Sequence, residues 1–157
     1  MLTEFESFLT FKNIYFLINL GVIPFWILLL ITPNSKITQI FVNSIFLPFI
    51  LSATYIYVIY QAILLDEPFL DIFNLYLGFE NLYTLFATES FLLIFWIHFI
   101  SINLFLGSWI SKDALKYNIS RSIVLIPLIV TYFSGPLGLV IYWFLRIFYA
   151  KKISLHE

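Results

Sequence analysis

The sequence has no cysteine. It can therefore form no disulfide, thiolate nucleophile, iron–sulfur cluster or zinc–thiolate site, and the redox compartment leaves no mark on it. Charge is nearly as scarce. Asp, Glu, Lys and Arg make up 11% of the 157 residues, against about 25% in a typical soluble domain. A water-soluble domain of this size needs polar surface to cover its core, and this chain has too little. A disordered chain is excluded as well, because disorder pairs low hydrophobicity with high net charge. Eight basic and nine acidic residues leave a net charge of −1, so there is no basic field for gripping nucleic acid.

What is abundant is apolar and aromatic: 62% of residues are hydrophobic and 21% are Phe, Trp or Tyr. The gaps between charges give this material its organisation. Lys12 to Lys36 encloses 23 uncharged residues, Lys36 to Asp66 encloses 29, Glu89 to Lys112 encloses 22 and Arg121 to Arg146 encloses 24. A helix needs about 20 apolar residues to cross a hydrocarbon core of about 30 Å. In lipid the backbone must satisfy its own hydrogen bonds, so runs of this kind read as helices. The alternation of a membrane β-barrel is absent. The expectation is an all-α integral membrane four-helix bundle, with spans near 13–32, 39–65, 90–111 and 122–148. Pro33-Asn34-Ser35-Lys36 reads as a tight turn after the first span, and Pro48 as a kink in the second. Pro127 and the segment Gly135-Pro136-Leu137-Gly138 predict a bend or local unwinding in the fourth, as a packing kink or as a cavity wall.

The connection from Asp66 to Glu89 is the only long one, and its apolar stretches are too short to span. Ile72, Leu75, Tyr76, Phe79, Leu82, Tyr83 and Phe86 recur at three- and four-residue spacing. That pattern predicts an interfacial amphipathic segment between the second and third spans. No repeat, linker or low-complexity tract interrupts the chain, which reads as a single domain over 1–157. Glu4 and Glu6 precede Lys12, unlike the basic start of a signal peptide, so the first span is expected to stay in the mature protein. Orientation by basic residues ties. With four spans, Lys12, Arg146, Lys151 and Lys152 lie on one side and Lys36, Lys112, Lys116 and Arg121 on the other. The Asn118-Ile119-Ser120 sequon reads as chance.

Polar residues inside a span are costly and tend to face the bundle interior. The third span carries His98, Ser101 and Asn103 near its middle. Glu89, Trp96 and Asn103 fall at seven-residue spacing and share a face, with Gly107 below Asn103 to allow close helix approach. His98 sits about 140° from Asn103 at 100° per residue. It is the one titratable side chain in the middle of any span, since all seventeen charges lie outside the uncharged runs. An imidazole there suits proton transfer or cofactor ligation, or a neutral ring hydrogen-bonded to a neighbouring helix. Asn103 suits catalysis beside it or interhelical hydrogen bonding. Glu89 and Asp113, at the helix ends, complete the candidate acid–base set. No metal site is expected, since there is no His pair at helical spacing and no set of inward carboxylates. No nucleophile elbow, P-loop, dinucleotide fingerprint or metalloprotease helix is present. No cofactor is evident, and the aromatic residues suit either a groove for a long flat apolar ligand or lipid-facing positions filled under a low-GC coding bias.

The stretch from Phe95-Trp96-Ile97-His98 through Ser101, Asn103, Gly107 and Trp109 to Lys112-Asp113 resembles the third helix of the ABA4-like (abscisic-acid-deficient-4-like) membrane proteins. The stretch from Pro127 through Thr131, Tyr132, Gly135-Pro136 and Gly138-Leu139, continuing into Tyr142, Leu145 and Arg146, resembles the fourth. Pro24-Phe25-Trp26 followed by Pro33 fits the first helix and turn. The resemblance implies a small four-helix membrane protein. Plant members are plastid proteins needed to convert violaxanthin to neoxanthin, and bacterial relatives occur, so a plastid, thylakoid or bacterial membrane is implied. His98, Trp96, Trp109, Asp113, Gly135 and Pro136 fall on matching positions, and Trp96, Trp109, Gly135, Pro136 and Tyr142 are the implied ligand-binding residues. The family usually has Asp where this chain has Asn103 and often Arg where it has Ser108. Asn cannot change protonation, so proton shuttling at that position is in question here.

Three classes of function follow. The first is an enzyme of xanthophyll rearrangement, or an essential partner of one. Turning a 5,6-epoxide into an allene requires proton removal and epoxide opening, hence a general acid and base. The second is a non-catalytic pigment- or lipid-binding subunit, with membrane lipids, a carotenoid and other membrane subunits as partners. The third is a transporter, disfavoured by the lack of an inverted repeat and of intramembrane charge.

Overall fold

The computed structural model describes residues 9–65, 73 and 75–150. Those residues are mostly helical, with no strand among them. In chain order the helices are α1 (Phe11–Ile31), α2 (Lys36–Phe41), α3 (Phe46–Leu64), α4 (Phe79–Phe86), α5 (Glu89–Lys116), α6 (Arg121–Ser134) and α7 (Pro136–Ala150). Three segments are long and apolar enough to cross a membrane: α1, the stretch Lys36–Leu64 that holds α2 and α3, and α5.

The first run behaves as its composition predicts, and its closing turn is built from hydroxyls. Ser35 caps α2 by accepting from the Thr38 amide at 3.1 Å. The buried Thr38 hydroxyl donates to the Thr32 carbonyl at 2.6 Å, replacing backbone partners lost where α1 ends. The second run breaks between Phe41 and Phe46, not at Pro48. Pro48 is the third residue of α3, where an amide would have no partner within the helix, so the ring costs nothing there. The third run extends beyond its expected end, through Lys112, Asp113 and Lys116.

The fourth run departs furthest from expectation. The predicted span 122–148 is two helices of 14 and 15 residues, α6 and α7, each about 21–22 Å long at 1.5 Å per residue. They meet at Gly135, whose φ of 47° and ψ of −88° suit glycine alone. Pro136 then opens α7 at the position that tolerates a missing amide. The chain reverses direction there. A Cβ on Gly138 would stand 2.6 Å from the Pro127 carbonyl oxygen and would collide with the Thr131 side chain. Eleven residues apart, these positions would be separated by about 16 Å in one straight helix. So α7 folds back along α6 as a helical hairpin.

Of the connection after α3, residues 66–72 and 74 lie outside the described set, including Ile72 from the predicted amphipathic pattern. The helix within it is α4, eight residues long, with Leu85 buried and Phe79 and Tyr83 exposed.

The described residues gather into two compact units, one built from residues up to Val22 and from Pro48 to His98, the other from Ile23 to Leu47 and from Phe99 onward. The first has a core of Ile14, Ile18, Leu51, Val58, Leu85, Phe91, Leu93 and Ile97. The second packs Trp26, Leu29, Leu104, Ile110, Val124, Leu128 and Tyr142 around the buried polar residues Asn103, Ser108, Thr131 and Arg146. Large apolar side chains such as Phe16, Phe49, Phe105 and Phe133 stand exposed. Apolar outside with polar groups within reverses the soluble pattern and suits a lipid surround.

Candidate functional site

In the first unit, α1 and α5 start side by side and leave a groove of about 420 Å³ between Phe11, Lys12 and Tyr15 on one wall and Glu89, Leu92, Leu93 and Trp96 on the other. Seven-residue spacing puts Glu89 and Trp96 within about 20° of each other around α5, and the structure places both on the groove. The indole is held at two points. Its Nε1 donates to Asn19 Oδ1 at 3.2 Å, and its ring lies 5.9 Å from that of Tyr15. Asn19 in turn donates to the Tyr15 carbonyl at 2.7 Å. Lys12 and Glu89 sit in the first turns of their helices, so the groove has polar groups at that end and aromatic and aliphatic walls beyond.

His98 is exposed. It falls about 180° around α5 from Glu89 and lines neither this groove nor the cavity of the second unit.

In the second unit, Asp113 is the centre of a buried polar cluster. Its Oδ2 accepts from Arg146 Nε at 2.7 Å and from the Tyr142 hydroxyl at 2.7 Å. Arg146 also donates to the Tyr117 hydroxyl at 3.2 Å, with its guanidinium 4.9 Å from that ring's centroid. Trp109 packs edge-on against Tyr142 with centroids 5.8 Å apart. The charge spacing predicts every charge outside the apolar interior, and Arg146 corrects that expectation: the side chain is 0% exposed and Asp113 only 10%. Desolvating a guanidinium is costly unless it is paired, and the carboxylate and phenol oxygens supply that pairing. Tyr142 is fully buried with its hydroxyl engaged, so it faces no open groove. Arg146 and Tyr117 are not among the sequence candidates. The signal available for them is that Asp113 is the one acidic residue in this half of the chain before the final Glu157.

Asn103 is 3% exposed and supports the hairpin turn. Its Nδ2 donates to the Tyr132 carbonyl at 3.4 Å, and its side chain fills the space where a Cβ on Gly135 would stand. Pro136 beside that turn is exposed. Gly107 admits the Trp26 ring, which a Cβ would meet at 2.6 Å. Ser108 donates to Asn43 Oδ1 at 2.6 Å. The sequence candidates thus form three groups: Glu89 with Trp96 on the groove, Trp109, Asp113 and Tyr142 in the ion-pair cluster, and Asn103 with Gly135 at the turn.

A second cavity, of about 470 Å³, lies between the end of α1, the turn after it, the end of α5 and the start of α6. Leu29, Leu115, Val124 and Leu128 form its walls, with Ser35, Ser111 and Arg121 among its polar groups. Arg121 Nε donates to the Leu30 carbonyl at 3.2 Å.

No curated protein and no solved structure matches the chain. The family model ABA4-like, described as ABA DEFICIENT 4-like, matches residues 13–142. That range runs from the first turn of α1 into α7 and takes in the hairpin turn, Asp113, Tyr142 and the groove residues from Tyr15 onward, while Phe11 and Lys12 lie before it. The chain belongs to the ABA4-like family.

Proposed function

We propose that this protein is a multi-pass membrane protein that binds a xanthophyll and serves its conversion, in the manner of the plant family members that act between violaxanthin and neoxanthin. The observation that carries the reading is the groove between α1 and α5. A xanthophyll end group is a six-membered ring bearing a hydroxyl or epoxide, attached to a flat polyene. Tyr15 and Trp96 suit the flat apolar part, since aromatic faces stack on such surfaces. Lys12 and Glu89 suit the oxygen atoms at the end. The ligand class comes from the family; the groove supplies chemistry that fits it.

Rearranging an epoxide to an allene is an isomerisation. One proton leaves carbon, the C–O bond of the epoxide opens and the oxygen takes up a proton. Glu89 is the carboxylate on the groove and is assigned the proton-removing role, with Lys12 beside it to stabilise charge on the oxygen. His98, on the opposite side of α5, is set aside for this step. Trp109, Tyr142, Gly135 and Pro136 shape the hairpin, and Trp96 holds the ligand.

A non-catalytic binding role is the second reading. It is favoured by Asn103, whose amide is committed to the hairpin turn at the position where the family usually carries Asp. Expression in a violaxanthin-accumulating host, followed by mild-detergent purification and pigment extraction, tests both. A stoichiometric xanthophyll lost in Trp96→Ala supports binding, and neoxanthin lost in Glu89→Gln adds catalysis. Purified folded protein with no pigment from that host overturns both.

A further inference from the structure

The hairpin of α6 and α7 changes how many times the chain crosses a membrane. α6 begins beside the end of α1, where Arg121 donates to the Leu30 carbonyl. It runs inward about 21 Å, less than the roughly 30 Å of a hydrocarbon core. The chain reverses at Gly135, level with Asn103 in the middle of α5. α7 then returns alongside α5, and Arg146 reaches Asp113 and Tyr117 near the end from which α6 set out.

The tip of the hairpin is equipped for a dry surround. Inside a bilayer a non-helical backbone survives only where its polar groups find partners. The Asn103 amide takes the Tyr132 carbonyl. Ser134 and Thr131 hydroxyls donate to the carbonyls of Val130 and Pro127 at 3.0 and 2.7 Å. The amides of Gly135 and Leu139 close onto the carbonyls of Thr131 and Gly135 at 2.9 and 3.2 Å, and Pro136 has no amide to satisfy. Around this tip stand the exposed apolar side chains of Phe133, Leu137 and Val140.

We propose that α6 and α7 form a re-entrant hairpin, so that the chain crosses the membrane three times, and that the face from which the hairpin enters docks on anionic lipid headgroups. The proposal rests on the membrane placement above and is independent of any pigment. Its second half follows from charge. With four crossings the basic residues divide evenly; with three, Arg146, Lys151 and Lys152 join Lys36, Lys112, Lys116 and Arg121, leaving Lys12 alone on the other side. Seven against one is a decisive bias under the positive-inside rule. Lys36, Lys112, Lys116 and Arg121 are all exposed. Asp113 is the only acidic residue among the described residues of that unit, and Arg146 takes it up. The four exposed cations therefore have no compensating carboxylate among the described residues of the unit, which suits an anionic leaflet.

The absence of cysteine makes the topology directly measurable. Single-cysteine variants at Thr10, Asn118, Phe133 and Tyr149 in the full chain would be treated with a membrane-impermeant maleimide in sealed right-side-out and inside-out vesicles. Asn118→Cys and Tyr149→Cys are expected to label from one side, Thr10→Cys from the other, and Phe133→Cys from neither. Labelling of Tyr149→Cys from the Thr10 side, or of Phe133→Cys from the side opposite Asn118, overturns the hairpin. For the docking face, protein reconstituted in phosphatidylcholine with phosphatidylglycerol would be re-extracted and its bound lipid counted. Severalfold enrichment of phosphatidylglycerol, lost in the triple variant Lys36→Gln, Lys116→Gln, Arg121→Gln, is expected. Equal lipid ratios in wild type and variant overturn anionic docking.

Discussion

Arg146 and Asp113 meet at 2.7 Å with the guanidinium wholly out of solvent, and through this contact α7 is fastened to α5. Removing one partner of such a pair leaves an uncompensated buried charge, which costs about 3–5 kcal/mol. Asp113→Ala is expected to lower the thermal unfolding midpoint in detergent accordingly. The double variant Asp113→Leu with Arg146→Met should recover most of the loss, because apolar replacement of both partners removes the desolvation penalty. A wild-type midpoint in Asp113→Ala would show that the pair does not hold the helices together.

Gly138 and Gly21 make a paired test of the hairpin. A Cβ on Gly138 has no room between Pro127 and Thr131, whereas nothing lies within 4 Å of one on Gly21. Gly138→Ala should destabilise the protein by about 1–3 kcal/mol through overpacking. Gly21→Ala, within α1, should leave stability unchanged or raise it by up to about 1 kcal/mol. Limited proteolysis of the two variants side by side would measure the difference.

Asn103→Asp tests what the amide does at the hairpin turn. A carboxylate cannot donate to the Tyr132 carbonyl, and it would sit unpaired at the buried turn. Loss of about 1–3 kcal/mol is expected, read as a lower unfolding midpoint. Restored or accelerated xanthophyll conversion without loss of stability would instead mark the position as catalytic.

Glu89→Gln and His98→Ala separate the two acid–base candidates. In a violaxanthin-accumulating host, Glu89→Gln is expected to cut neoxanthin formation by roughly 10²–10⁴, the usual contribution of a general base. His98→Ala should stay within a few-fold of wild type. The reverse order would move the chemistry to the exposed side of α5.

Asn19→Ala removes the acceptor that orients Trp96. A lost hydrogen bond costs about 0.5–1.5 kcal/mol, so the fold should persist while bound pigment falls. Absorbance of the purified protein, normalised to chain concentration, reads the effect; unchanged pigment would separate the indole's orientation from binding.

Much of this is legible in the residues alone, and the exceptions have a common cause. α1 and its turn can be read because a long uncharged run followed by Pro33-Asn34-Ser35 permits little else. The shared face of Glu89 and Trp96 follows from helix geometry. Which face points inward does not, because a helix apolar on all sides has no polar side to tell lipid from protein. Hence the spacing alone does not show that His98 stands exposed. The Gly135-Pro136 break is visible too, but not its direction. One long helix and two short ones laid back to back have the same composition and the same spacing between charges. What selects reversal lies far along the chain: Gly138 fitting against Pro127, Asn103 filling the turn and Arg146 reaching Asp113.

A hairpin that leaves by the face it entered also bears on how the protein is made. A fourth crossing would oblige the insertion machinery to push the segment bearing Arg146, and the lysines after it, through the full thickness of the bilayer. A hairpin asks only that its apolar tip sink in while the cationic tail stays on the side of synthesis. Its docking partners, Asn103 and Asp113, are on α5 and emerge from the ribosome first. Assembly can therefore end with α6 and α7 closing onto a surface already in place, and an unpaired Arg146 would mark chains in which that last step had failed.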